Sequence, residues 1–233
     1  MKSSDIIFTS YCFDNSAQSG DYYSQQVRLK ESILKIYPDA NLHFIHEDEA
    51  TGKPKFQKSL YGYKVQLVKD CLRKGFKKII YFDSAICLEQ KVDYWFELAK
   101  DLGVLTAIDR QTLDNVISDK CAKYSELTKE QLATINLVGG SIYVFDFDTE
   151  VCNKIFAEWV NMENMGLFGS QEDCTNGILG NHRMDETCMA IALHQYGMKG
   201  LGHDVMRYAY EHPGTKVIHG QGYDPIVLKK HFK

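Results

Sequence analysis

Four groups of side chains have the types and settings to do chemistry. The first is Asp83, in the stretch Lys77 to Glu89 that reads KKIIYFDSAICLE. A short apolar run, Ile79 to Phe82, ends at this aspartate, and small residues follow it. The pattern is that of a buried strand presenting a carboxylate at its carboxyl end, where open α/β sheets bind ligands. A charge so placed must be hydrogen-bonded, paired or bound to a metal, because burying it alone is costly. Asp83 can hold Mg²⁺ or Mn²⁺ against phosphate oxygens, since hard cations take oxygen ligands, or it can cap a turn through Ser84.

The second is His219, which ends the run KVIHG and precedes Gly220, Gln221 and Gly222. An imidazole there can reach a metal or a phosphate, with the glycines allowing close backbone approach. A lone histidine is more often a satisfied polar residue. Lys64, the third, lies on the apolar side of a helical run between Tyr61 and Val68. Its ammonium can point at a phosphate, although the commoner arrangement runs the stem past core residues to water. The fourth is the pair Asp185-Glu186, which opens another helical run. Capping and the helix macrodipole favour one acid there. The other can orient a hydroxyl or stabilise an oxocarbenium-like centre.

These groups need elements to position them. Asp5 to Thr9 reads as a first strand. Tyr22 to Tyr37 is helical, with Leu29, Ile33 and Ile36 on one face and Pro38-Asp39 as its stop. Asn41 to His46 alternates as a second strand, and Leu60 to Arg73 returns to helix period with Gly75 as cap. After the Asp83 strand come a helix about Asp93 to Asp101 and a strand at Gly103 to Ile108. Asp109 to Ala133 reads as a polar helical excursion, Ser141 to Phe147 as a strand and Thr149 to Met162 as a helix. Met165 to Met184 is a glycine-rich loop of the length that often forms a lid. Asp185 to Tyr196 is helical, and Lys216 to His219 is a short strand. This alternation predicts a three-layer α/β sheet, mostly parallel, in one domain.

Composition narrows the function further. The chain has 233 residues, 44% hydrophobic and 25% charged, as in an ordinary globular protein with ample core. A net charge of -4 with scattered basic residues gives no support to a nucleic-acid-binding face. No apolar run approaches the length of a signal peptide's core or a membrane span. The seven cysteines are widely spaced without a Cys-x-x-Cys pair, which predicts free thiols and a cytoplasmic, reducing setting. Nucleotide-loop and nucleophile-elbow fingerprints are absent, so a kinase, a dehydrogenase or an α/β-hydrolase has no support.

Taken in order, IIFTSY, YGYKVQLVKDCL, IIYFDSAICL, GGSIYVFDF, DETCMAIAL and KVIHGQG resemble a GT-A glycosyltransferase. The likeness is to the retaining families typified by glycogenin (family eight) and the blood-group α-galactosyltransferases (family six), and in outline it covers most of the chain. It implies a three-layer α/β/α sandwich over 1–233, with 1–110 as the nucleotide-binding half and 111–233 as the acceptor-side half. It implies an enzyme moving a sugar from a nucleotide-diphosphate donor, UDP-linked, to a glycan or other hydroxyl acceptor with retention. Thr9 and Tyr11 would line the base pocket, and Lys64 would lie near the donor phosphates. Asp83 matches the first aspartate of the Asp-x-Asp motif, with Ser84, Ala85 and Gly220 also in the donor-binding set. His219 would be a further ligand of a divalent metal, Mn²⁺ or Mg²⁺. Asp185 and Glu186 match an Asp-Glu-Ser/Thr element whose glutamate is the candidate nucleophile or stabiliser. Gly139-Gly140-Ser141 matches a donor-sugar loop, with Gly139 where family eight often has asparagine.

Ala85 stands at the second Asp-x-Asp position and cannot bind a metal. A metal would then complete its shell with diphosphate oxygens, or Lys64 and nearby dipoles would stabilise the leaving group without one. Two other readings remain from the residues: a sugar-nucleotide-binding module without turnover, and a Rossmann-like nucleotidyltransferase.

Overall fold

The computed structural model describes residues 5–14, 22–48, 61–88, 91–169, 184–201, 208–211 and 215–218. The fold is built on a five-stranded sheet made by β1 (Ile6–Asp14), β2 (Asn41–Asp48), β3 (Lys78–Phe82), β5 (Val104–Thr112) and β6 (Asn136–Asp146). Its order is β2-β1-β3-β6-β5. Strand β1 is parallel to both β2 and β3, whereas β6 is antiparallel to β3 and to β5. Four strands therefore share one direction and β6 opposes them. The opposition matters, because the start of β6 lies where β3 ends.

Both faces of the sheet are covered. The alternation of β1 and β3 explains how: Ile7 and Ile79 enter one core, while Ile6, Phe8, Ile80 and Phe82 enter the other. The first core packs against α2 (Gly62–Arg73), α6 (Glu150–Asn164) and α7 (Met184–Gln195). The second packs against α1 (Tyr22–Ile36), α3 (Trp95–Leu102) and the short β4 (Ile86–Leu88). Helix, sheet and helix form three layers. Strand β4 belongs to a separate three-stranded sheet with β7 (Tyr208–Glu211) and β8 (Thr215–Ile218), in the order β4-β8-β7.

Local chemistry sets the helix ends. Helix α2 closes as a Schellman turn: Phe76 N–H donates to Cys71 O at 3.2 Å and Gly75 N–H to Leu72 O at 2.9 Å. Gly75 takes the left-handed φ of 90° that this turn needs. Thr149 caps α6 by accepting from Cys152 N–H at 3.3 Å.

The expected helical excursion over Asp109 to Ala133 is corrected. Strand β5 continues to Thr112, paired with Asn136 of β6, and a 3₁₀ turn follows at Leu113–Asn115. Two short helices come next, α4 (Asp119–Ser125) and α5 (Lys129–Leu132). Ser118 caps the first, and Thr128 forms a capping box with Gln131 at the second. Two starts so close together cannot belong to one helix. Strands β1 and β6 are also longer than expected, because pairing partners extend them past their apolar runs. The described cysteines, Cys12, Cys71, Cys87, Cys121, Cys152 and Cys188, are free thiols. Among the described residues no helix is long and apolar enough to cross a membrane.

Gly103 joins α3 to β5 with φ at 74°, and a Cβ there would lie 2.4 Å from Ile155 Cδ1. We expect Gly103→Ala to lose about 2 kcal/mol in urea unfolding, from backbone strain and overpacking together.

Candidate active site

Strand β3 delivers Asp83 to the carboxyl edge of the sheet, as its apolar run requires. The Asp83 N–H donates to Ser141 O at 2.9 Å, and Ile86 N–H donates back to Asp83 O at 3.1 Å. A tight turn through Ser84 and Ala85 therefore follows the aspartate, and it is closed by backbone atoms rather than by the carboxylate. The carboxylate itself accepts from Tyr81 Oη, which lies 2.5 Å from Oδ1. Tyr81 is fully buried and Asp83 only half-buried, so the phenol aims the acid outward from the core.

Behind Asp83 lies a buried ion pair. Lys64 Nζ is 2.8 Å from Asp185 Oδ2, and each residue is 2% exposed. The ammonium also donates to Gly140 O at 2.9 Å, and Tyr143 Oη donates to Asp185 Oδ2 at 3.0 Å. Three rings surround the cation: Tyr61, Tyr81 and Tyr143 have centroids 5.0, 5.4 and 5.5 Å from Nζ. Trp159 Nε1 fixes the backbone of α7 by donating to Asp185 O at 3.0 Å. The commoner of the two arrangements open to Lys64, a stem that runs out to water, does not hold, because its charge has a partner inside.

Electrostatics keep this lysine charged. Burial works against the ammonium, but Asp185, Asp83 and Glu186 outweigh it and hold Lys64 well above the ordinary lysine range. Burial pushes the Asp185 carboxyl up, while Lys64 and the Tyr143 hydroxyl pull it back. With two donors within 3.0 Å, Asp185 is the anion of an ion pair.

Asp185 and Glu186 thus separate into two roles. Asp185 is locked inside. Glu186 is half-buried, and its Oε1 accepts from Gly140 N–H at 2.9 Å. Both acids lie in the first turn of α7, which begins at Met184, where the helix macrodipole favours negative charge. Gly140 is squeezed between them: a Cβ there would fall 2.8 Å from Lys64 Nζ and 2.9 Å from Glu186 Cγ. Only glycine lets β6 pass this close to both charges. Its neighbour Gly139 accepts from Thr106 Oγ1 at 2.9 Å, which ties β6 to β5 at the same level.

The residues expected at a base pocket divide likewise. Thr9 is fully buried and donates its hydroxyl to His43 O at 2.8 Å, a bond between β1 and β2. Tyr11 stacks on Tyr63 at 4.3 Å and donates to Glu47 Oε2 at 3.2 Å. His219 and Gly220 lie outside the described residues, as does most of the Met165 to Met184 loop. Among the described residues no group of three or more His, Cys, Asp or Glu side chains is placed to hold a metal. Asp83 fits as one hard oxygen donor, and a cation there would draw its other oxygens from a ligand.

Sequence reasoning missed Tyr61, Tyr81, Tyr143 and Trp159. Tyr81 and Tyr143 are direct partners across the β3–β6 pair, and two tyrosines at alternating positions of apolar runs were the available sign.

No protein-family model and no curated protein matches the sequence. Solved structures match in fold. The bifunctional glycosyltransferase WbbM superposes at TM-score 0.50 and 11% identity, over 85% of this chain and 39% of that one. A glycosyltransferase involved in glycosylating the major capsid of PBCV-1 gives 0.45 at 12% identity, over 97% of each chain. The galactosyltransferase LgtC, with donor and acceptor sugar analogues, gives 0.44 at 11% identity, over 85% and 74%. The architecture is the GT-A glycosyltransferase fold.

Two outcomes follow for stability. Lys64→Met should cost about 3 kcal/mol or more in urea unfolding, because it strands Asp185, and adding Asp185→Leu should return most of that loss. Burial raises the phenols of Tyr11, Tyr61, Tyr63, Tyr81 and Tyr143 above the ordinary value of 10.0. Above pH 10 the unfolded chain releases these protons while the folded one keeps them, so stability falls as pH rises. Each such tyrosine adds a slope of up to about 1.4 kcal/mol per pH unit. Denaturant midpoints measured between pH 9 and 11 check the sign.

Proposed function

We propose that the protein is a glycosyltransferase that moves a sugar from a nucleotide-diphosphate donor, UDP-linked, to a hydroxyl acceptor with retention. The observation that carries this reading is the convergence of Asp83, the Lys64–Asp185 pair and Glu186 at the carboxyl edge of a GT-A sheet. In the transfer, the bond from the anomeric carbon to the diphosphate breaks and its electron pair leaves on the phosphate oxygen. The acceptor oxygen bonds to that carbon, and its proton passes to the departing oxygen.

The chemistry needs negative charge stabilised on one side and positive charge on the other. Lys64 is buried, with two of its three N–H groups donated to Gly140 and Asp185, so its field, not direct contact, would act on the diphosphate. A divalent cation held by Asp83, with His219, would neutralise the departing diphosphate. Glu186 is the group for the anomeric centre, since its carboxylate is part-exposed and is positioned by Gly140 N–H. Asp185 holds Lys64 and α7 in place.

Ala85 supports a second reading, a module that binds sugar nucleotides without turnover. A thermal-shift screen of nucleotide sugars with and without Mn²⁺ comes first. A donor present at about a hundred times its Kd adds about 2.7 kcal/mol of stability. Turnover is then followed over varied acceptors with product stereochemistry by NMR. Wild type should form a retained product, and Glu186→Gln should keep donor binding while losing at least about a hundredfold in turnover. Binding without transfer or hydrolysis under any acceptor would leave the module reading. An inverted product would remove retention. Asp83→Ala should abolish any effect of Mn²⁺ on donor binding.

A further inference from the structure

We infer that Tyr61 is a sugar-stacking residue, whose ring forms a face of the donor site against which the pyranose of a nucleotide sugar packs. The inference rests on the transferase reading and names a contact that the reading leaves open.

Tyr61 is an unusual residue for its place. It precedes α2 with φ 63° and ψ 2°, in the left-handed region, and its side chain makes no capping hydrogen bond. A bulky side chain is strained there, and glycine would hold the same backbone without cost. Such strain persists where the side chain serves something other than folding. Core packing does not account for it either, because Tyr61 is 41% exposed.

Its surroundings identify the service. The ring centroid lies 5.0 Å from Lys64 Nζ, the cation of the buried pair. The phenol feels Lys64 and Asp185, and also Asp83 and Glu186, the two part-exposed carboxylates assigned to the transfer. Tyr61 also leans on Tyr63 at 5.9 Å, and Tyr63 stacks on Tyr11 at 4.3 Å. An aromatic run therefore leads from Tyr11 within β1 to the Lys64 ammonium. A part-exposed ring beside carboxylates matches a pyranose, whose C–H face packs on the π cloud while its hydroxyls donate to the acids. A nucleobase would need the ring but not the acids.

Calorimetric titration of wild type, Tyr61→Gly and Tyr61→Phe tests this. The probes are UDP and a panel of UDP-glucose, UDP-galactose, UDP-xylose and UDP-N-acetylglucosamine. Wild type should bind at least one UDP-sugar more tightly than UDP. Tyr61→Gly should weaken that sugar nucleotide by about fivefold or more while leaving UDP unchanged, and Tyr61→Phe should bind as wild type does. The unliganded Tyr61→Gly protein should keep the far-UV circular dichroism and cooperative melting of wild type, with relief of the left-handed strain offsetting the lost ring contact to Lys64, which separates lost binding from lost folding. An equal loss for UDP and UDP-sugar would place the ring under the base and overturn the inference. No loss for either probe overturns it as well. If wild type binds none of the probes, the transferase reading falls first and the inference with it.

Discussion

An ammonium and a carboxylate 121 residues apart in sequence meet at 2.8 Å, out of reach of water. Two charges so placed must satisfy each other, because neither can be left alone in the interior. The pair therefore fixes the distance between α2 and α7 and the path of β6 between them. Gly140 offers its carbonyl to Lys64 and its N–H to Glu186, which lies next to Asp185 in α7. A backbone without a Cβ is what allows one residue to serve both. The Glu186 carboxylate, which we propose acts at the anomeric centre, inherits its position from this contact.

Tyrosine hydroxyls extend the same constraint outward. Tyr143 takes up one side of Asp185, and Tyr81, opposite it in the sheet, holds Asp83. Two acids with different tasks are thus oriented by two phenols paired across neighbouring strands. Burial keeps both phenols protonated, so they remain donors over the pH range in which carboxylates are ionised.

Much of the frame was legible in the sequence, because strands and helices buried on one face advertise their period. The run Ile79 to Phe82 identified β3, and with it the position of Asp83. Leu29 and Ile33 identified α1. The stretch Asp109 to Ala133 was misread because polar residues hide strand pairing: β5 runs on to Thr112 only because Asn136 is there to meet it. The candidate site was legible as a set of residues but not as a circuit. Nothing local to Lys64 distinguishes a lysine that reaches water from one that meets Asp185, since the difference lies in a helix more than a hundred positions away. Glu186 could not be separated from Asp185 by sequence, because the two are adjacent and only the helix turns them apart.

The reversed strand β6 carries one more consequence. Side chains along it alternate, with Tyr143 and Phe145 facing α6 and α7 and Ile142 and Val144 facing the opposite layer. A slip of a single position in its pairing with β3 would exchange these sets. Tyr143 would leave Asp185, and Gly140 would leave the gap between the charges, in one step. Insertions or deletions in β6 are therefore all-or-none events for the site.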